Sequence, residues 1–285
     1  MKAAELRKSI LQAAVQGKLV PQDLHDEPAS VLLERIRAEK ARLVKEGKIK
    51  KEKPLPPIEE DEISYDLPEG WVWCRLGDIL QLLSGRDLET KQINNMKEGT
   101  PYITGASAIS NNHIFVTRWT KEPAVISKKG DLLITCKGTV GKLAFNKIGD
   151  CHIARQIMAL RFLYKNIDER YMWIFLSNYV QKLVGDAKSI IPGISRGNIL
   201  LAVIPLPPLA EQQCIVAKVN ELMALCEEIK EVKTKPIEQR DTNKVIDFPA
   251  VKQDEQLQLA ARGKISKKFS TELIQAIDDM FAEDE

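Results

Sequence analysis

The stretch Ile190-Ile-Pro-Gly-Ile-Ser-Arg-Gly-Asn-Ile-Leu-Leu-Ala-Val-Ile-Pro-Leu-Pro-Pro-Leu-Ala-Glu-Gln-Gln-Cys-Ile-Val216 decides how the chain is organised. An apolar run from Ile199 to Ile204 ends at Pro205, Pro207 and Pro208, which lack the N–H that an interior strand or helix must donate. A rigid, extended corner is therefore predicted. Pro208-Leu-Ala-Glu-Gln-Gln213 then opens a helix, with the Glu211 carboxylate in the first turn, where the macrodipole favours negative charge. From there Ile215, Val219, Leu222, Cys226 and Ile229 recur at alternating intervals of four and three, the apolar seam of a coiled coil and the expected partner or dimer interface. A compact module ends, and a long helix begins, at one hinge.

The same residues carry a family resemblance. Pro-Gly-Ile-Ser at 192–195, a short apolar segment, Ile-Pro-Leu-Pro-Pro-Leu at 204–209, then Glu-Gln and Ile-Val resemble the end of a target-recognition domain in specificity (S) subunits of type I restriction-modification enzymes. Upstream, Leu67-Pro-Glu-Gly-Trp-Val-Trp-Cys-Arg-Leu-Gly-Asp-Ile79 resembles the opening of such a domain, Pro-x-Gly-Trp followed by Leu-Gly-Asp. The resemblance extends from Met1 to about Lys230. It implies a mixed α/β fold: one globular recognition domain of short strands and helices, attached to long coiled-coil-forming helices. It further implies docking to methyltransferase (M) subunits and, through them, restriction (R) subunits. Double-stranded DNA is then read by this chain, while adenine methylation and ATP-driven translocation and cleavage belong to the others. No cofactor is expected on this chain; S-adenosylmethionine, ATP and Mg are expected on the partner subunits. Typical S subunits hold two recognition domains, and this sequence holds one. Two copies are therefore expected to pair as a homodimer through the Glu211–Lys233 helix and the N-terminal helices; a truncated product or half of a split pair would look the same.

Charge follows the same plan. The whole-chain value of +2 hides 18 Lys and Arg against 10 Asp and Glu between residues 71 and 210, with 13 against 14 before that block and 11 against 16 after it. A basic block between acidic flanks suits phosphate contact, since each neutralised phosphate releases counterions. No apolar run approaches the roughly 20 residues that span a bilayer, and the N-terminus lacks the apolar core of a signal peptide, so no membrane partner and a cytoplasmic location are expected. The 5 cysteines are odd in number, scattered and without a C-x-x-C pair, which argues against a disulfide framework or a zinc knuckle.

Five regions follow in chain order. Residues 1–53 hold two N-terminal helices for M-subunit docking: an amphipathic one over 5–20, stopped by Gly17 and Pro21, and a second from Pro28 to about Glu46, ended by Gly47. Residues 54–66 belong to an exposed linker, basic and proline-rich from Lys48 to Pro57 and acidic at 59–62. Residues 67–210 form the recognition domain, 211–233 the coiled-coil spacer, and 234–285 a polar C-terminal arm with a last amphipathic helix over Phe269–Phe281. Leu257-Gln-Leu-Ala-Ala-Arg-Gly-Lys-Ile265 echoes Leu11-Gln-Ala-Ala-Val-Gln-Gly-Lys-Leu19, a weak internal repeat. In the S family such elements recur as a circular pseudo-repeat, so two similar pieces could face two copies of one partner.

Within the domain, strands alternate with polar loops. Ser84-Gly85-Arg86-Asp87 and Asn111-Asn112-His113 read as turns. Lys128-Lys129-Gly130 between Ala124–Ser127 and Asp131–Thr135 reads as a hairpin. Further strands are expected over 143–146 and 157–163, and a helix over 168–184. Lys137-Gly-Thr-Val-Gly-Lys142 is not a P-loop, because two residues rather than four separate its glycines and Leu143 follows the Lys; it is a hairpin with no ligand or, by the resemblance, one that places backbone near DNA. The DNA-contact candidates are the loop side chains able to pair with base edges or phosphates: Ser84, Arg86, Lys91, Asn111, Asn112, Lys128, Lys129, Lys137, Thr139, Lys142, Lys188, Ser195, Arg196 and Asn198. Arg86, Lys137 and Arg196 are the sharpest, each beside a Gly or Ser that lets backbone approach. Trp71 and Trp73 read as structural.

No catalytic set emerges. There is no Asn/Asp-Pro-Pro-Tyr/Phe motif for amino-methylation, and His25, His113 and His152 stand far apart without the further ligands a metal needs. The chain is read as a binding subunit and not an enzyme. A free-standing DNA-binding regulator is the alternative; a nuclease or nucleotide hydrolase with a hidden acidic site is the third class.

Overall fold

The computed structural model describes residues 3–163, 167–185 and 193–234. Lys188, the side chain of Ile229, the repeat at 257–265 and the arm and helix expected over 235–285 lie outside the described residues.

Two N-terminal helices, α1 (Ala3–Val15) and α2 (Ala29–Lys45), precede β1 (Val72–Arg75), the one-turn α3 (Leu76–Ile79) and β2 (Leu80–Ser84). Strands β3 (Thr100–Ile103), β4 (Ile109–Ser110), β5 (His113–Ile114), β6 (Arg118–Thr120), β7 (Ile126–Ser127), β8 (Leu132–Thr135), β9 (Leu143–Phe145), β10 (Cys151–Ile153) and β11 (Ile157–Phe162) follow. The chain continues through α4 (Glu169–Gly185), α5 (Arg196–Leu200), β12 (Val203–Leu206) and the long α6 (Leu209–Thr234).

One antiparallel sheet has the order β2-β11-β8-β9 and is buried on both faces. Alternation makes this possible: Leu132, Ile134, Met158 and Leu160 enter the helical core, while Leu133, Ile157 and Ala159 meet Ile103, Cys151 and Ile153 of a second sheet, β6-β3-β10-β7. A strand covered on both sides reads as a continuous apolar run, as Leu132-Leu-Ile134 and Ile157-Met-Ala-Leu160 do. The layers are helices, sheet, sheet.

Four expectations change. The Lys128-Lys129-Gly130 turn does not close a hairpin: β7 pairs with β10 in the second sheet, and β8 with β11 and β9 in the first. Short apolar strands bounded by a glycine turn carry no mark of which sheet they join. The run from Ile199 to Ile204 is also divided, because Ser195 and Asn198 form a reciprocal capping box that starts α5. Pro205 then lies inside β12, opposite Trp73 of β1; this two-stranded pairing leaves each strand an open edge for the missing N–H. Its carbonyl accepts from Tyr171 Oη at 2.6 Å.

The linker is the third. It runs over the surface but is clamped by Arg75, whose side chain is only 5 % exposed. Its guanidinium donates to the carbonyls of Pro56 (3.2 Å), Pro57 (2.6 Å) and Leu201 (2.7 Å), and to both Glu62 oxygens at 2.6 Å. The Arg75 hydrogen bonds hold the Glu62 carboxyl down at about 2. A carboxylate with a depressed folded-state pKa adds stability that is complete above its ordinary value of 4.5 and is lost as pH falls towards 2. Acidification through that window should release the strap first, seen as protease cleavage within 48–62 while the core retains its amide protection.

The seam of α6 faces inward. Ile215, Val219, Leu222 and Cys226 are at most 4 % exposed and share one core with Leu6, Ile10, Ala13 and Ala14 of α1 and with α4. The chain's own first helix fills the groove that the heptad pattern reserved for a partner; a second copy cannot seat on these four residues while α1 covers them. Arg7 of α1 also pairs with Glu227 of α6. Glu211 is buried rather than a solvated helix-end charge, accepting from Trp71 Nε1 at 2.8 Å and Gln22 Nε2 at 3.0 Å. Trp71 is thereby structural.

Candidate nucleic-acid interface

The C-terminal ends of β2, β8 and β10 and the start of β11 meet along one rim. Gly85 N–H donates to Ile157 O (3.0 Å), Arg86 N–H to Ile153 O (2.9 Å), Cys136 N–H to Gln156 O (2.8 Å) and Ile194 N–H to Cys136 O (2.9 Å). These bonds stitch segments 84–87, 136–139, 153–157 and 193–196 together, although they are remote in sequence. Gly85 is required here, since a Cβ would collide with the Ala154 carbonyl.

His152 holds the rim from beneath. It is fully buried, with Nε2 2.8 Å from Arg86 O and Nδ1 3.1 Å from Val125 N. One neutral tautomer satisfies both contacts, Nε2 donating and Nδ1 accepting. Burial lowers its pKa, which favours that neutral form.

Arg86 and Lys137 are exposed on this rim, as is Thr139 in the turn between β8 and β9. That turn is fixed by Thr135 Oγ1, which donates to Thr139 O at 2.7 Å and accepts from Lys142 N at 2.9 Å. Beside it, Asn111 and Asn112 adopt φ of 47° and 60°, closing the β4-β5 hairpin with both central residues in the left-handed region. Between this tip and α4 lies a cleft of about 320 Å³, lined by Asn111, Asn112, Lys142, Trp173, Ser177 and Gln181 among others.

Other candidates are committed to the fold. Arg196 donates to Leu82 O (2.9 Å) and Ser84 Oγ (3.0 Å) and pairs with Glu52 (3.0 Å), fastening the linker to the rim. Lys142 Nζ donates to the carbonyls of Ala106 and Ile109, each at 2.8 Å. Ser195 and Asn198 cap each other. Lys91 is not so committed: it is well exposed, in a surface ion pair with exposed Glu89 at 2.8 Å.

Lys128 and Lys129 are exposed at the opposite end of β8, at least about 10 Å from Lys137 at roughly 3.3 Å per strand residue. Asp131, only 3 % exposed, holds their turn: it accepts from Lys128 N (2.8 Å), Ser127 Oγ (3.1 Å), Arg161 Nη2 (2.7 Å) and Arg161 Nε (2.9 Å). The candidates thus form a rim and a separate corner, not one patch.

The sequence reading missed Arg155 and Gln156, which complete the rim. They occupy the short turn between β10 and β11, where no Gly or Pro flags a loop; only a polar Arg-Gln pair interrupting two apolar runs could have signalled it. Among the described residues, no group of three or more His, Cys, Asp or Glu could hold a metal, and no helix is long and apolar enough to cross a membrane.

Residues 68–239 match the family model for the type I restriction modification DNA specificity domain. The chain is 35 % identical over 246 residues to the specificity subunit of the type I restriction enzyme EcoAI from Escherichia coli, covering 79 % of this chain and 40 % of that one. It is 31 % identical over 243 residues to the EcoEI specificity subunit of the same organism, covering 79 % and 41 % respectively. It therefore spans about two fifths of the length of these curated relatives. Among solved structures, the HsdS subunit from Thermoanaerobacter tengcongensis superposes with a TM-score of 0.54 at 24 % identity, covering 72 % of this chain and 51 % of that one, a likeness of fold. A structure described as the basis of complex assembly and conformational transition of the type I R-M system gives the same TM-score of 0.54 at 25 % identity, covering 72 % and 52 %. Fold, domain match and identity together place the chain in the type I restriction-modification DNA specificity family.

Proposed function

We propose that this chain reads one half of a bipartite DNA site for a type I restriction-modification complex and performs no catalysis itself. The observation that supports it most is the exposed Arg86–Lys137–Arg155 rim, held by backbone stitches on a domain of this family, where a groove of DNA could present phosphates and base edges. M subunits, and R subunits through them, are the proposed protein partners; S-adenosylmethionine, ATP and Mg belong with them. The relatives matched are themselves specificity subunits.

Pairing of two copies belongs to the same proposal, through surfaces other than the seam that α1 covers. Native mass spectrometry with the cognate M subunit tests it: two copies of each are expected, whereas one copy bound to a different S-like chain would replace the homodimer with a split subunit.

The function is tested by selection from a random duplex library, using the chain co-purified with its M subunit. One interrupted, two-part sequence should be enriched. Equal recovery of all duplexes would overturn the reading, and tight selective binding that ignores M would favour a free-standing regulator.

A further inference from the structure

Arg155 is 66 % exposed, yet it is not a loose surface arginine. Asp87 Oδ1 accepts its backbone N–H at 3.1 Å and Asp87 Oδ2 forms an ion pair with its Nε, 2.7 Å away, so one carboxylate meets the residue at both ends of its stem. Asp87 is itself fixed, because the preceding residue, Arg86, donates its N–H to Ile153 O and accepts at its carbonyl from buried His152. With Nε held in this ion pair, the two terminal nitrogens remain for a ligand. Their parallel N–H bonds match two acceptors side by side, the O6 and N7 edge that guanine alone presents in the major groove. Pre-orientation by Asp87 reduces the rotamer entropy that a free arginine would lose on binding. Gln156 lies next in the chain against Gly105, where a Cβ would collide with its Oε1.

We propose that Arg155 is a specificity-determining residue that reads one guanine of the half-site through its terminal N–H pair, with Asp87 as its positioning residue. The proposal rests on the DNA-reading function above. Arginine also meets phosphate through paired N–H groups, so the 7-deazaguanine and salt-slope readouts below distinguish a base edge from a phosphate.

The test uses the chain co-purified with its M subunit and the duplex that library selection returns. With wild type, replacing the relevant guanine by 7-deazaguanine should weaken binding several-fold, short of the roughly 150-fold ceiling of a bidentate base contact worth about 1–3 kcal/mol, because N7 is lost and O6 kept. R155A should lose discrimination at that base pair alone and become insensitive to the 7-deaza substitution, with thermal stability unchanged because the side chain is exposed. D87N should retain binding but lose part of the discrimination at the same pair, an effect that a merely structural role for Asp87 would spread over all positions. If R155A instead weakens every duplex alike and lowers the salt slope by about one phosphate, Arg155 contacts the backbone and the proposal is wrong. If wild type selects no sequence at all, the DNA-reading function fails first and separately.

Discussion

Asp131→Ala is expected to destabilise the chain by about 3–5 kcal/mol, the range for removing one partner of a buried ion pair. The carboxylate is 3 % exposed and receives four hydrogen bonds, two from Arg161, whose side chain is 25 % exposed. Without it, the Arg161 guanidinium keeps its charge but loses its counter-ion, and the Ser127 hydroxyl and Lys128 N–H lose an acceptor. The cost concentrates at one joint, since Ser127 ends β7 in one sheet and Leu132 starts β8 in the other. The two sheets should therefore come apart locally before the helical core melts. Urea unfolding should show a lower midpoint, and hydrogen exchange should show faster opening at 126–133 than in α4. Asp131→Asn, which keeps acceptor capacity without the charge, should fall between the two; equal stability of wild type and D131A would refute this account of the joint.

Ile215→Ala should cost about 2–5 kcal/mol, the range for truncating a fully buried aliphatic residue. Ile215 is 0 % exposed and belongs to the core that α1, α4 and α6 share. The loss is intramolecular, so the fall in melting temperature should not depend on protein concentration. A seam between two copies would behave otherwise, because mass action makes the apparent stability of a dimer rise with concentration. Concentration-dependent melting in wild type that disappears in I215A would return the seam to a dimer role and overturn the intrachain assignment.

The Ile215–Cys226 spacing also shows where sequence reading stops. A four-three repeat states that one face of the helix is apolar, but not whose side chains cover it. Any amphipathic helix of matching face could do so, and α1 is attached to the same chain at high effective concentration. The same limit explains the basic residues. Arg196 and Lys142 sit beside glycines in polar loops, as Arg86 and Lys137 do, and nothing local separates them. Only the arrival of Glu52 and Leu82 O at Arg196, and of Ala106 O and Ile109 O at Lys142, commits the first pair to the fold.

What the sequence by itself determined is local and periodic: α1, α2 and α4 from their apolar spacing, β8 and β11 from short apolar runs, the Gly47 stop, and the Pro-rich turn into α6. It also determined the basic middle block and, through the motifs at 67–79 and 190–216, the family. Tertiary structure alone decided which sheet β7 and β8 join, that Pro205 lies within a strand, that Arg75 clamps the linker, and that Arg155 stands braced beside Asp87 on a shared rim. The division has one physical cause. Backbone propensity and side-chain period are set by near neighbours, whereas hydrogen-bond partners and burial are set by whichever remote segment packs there.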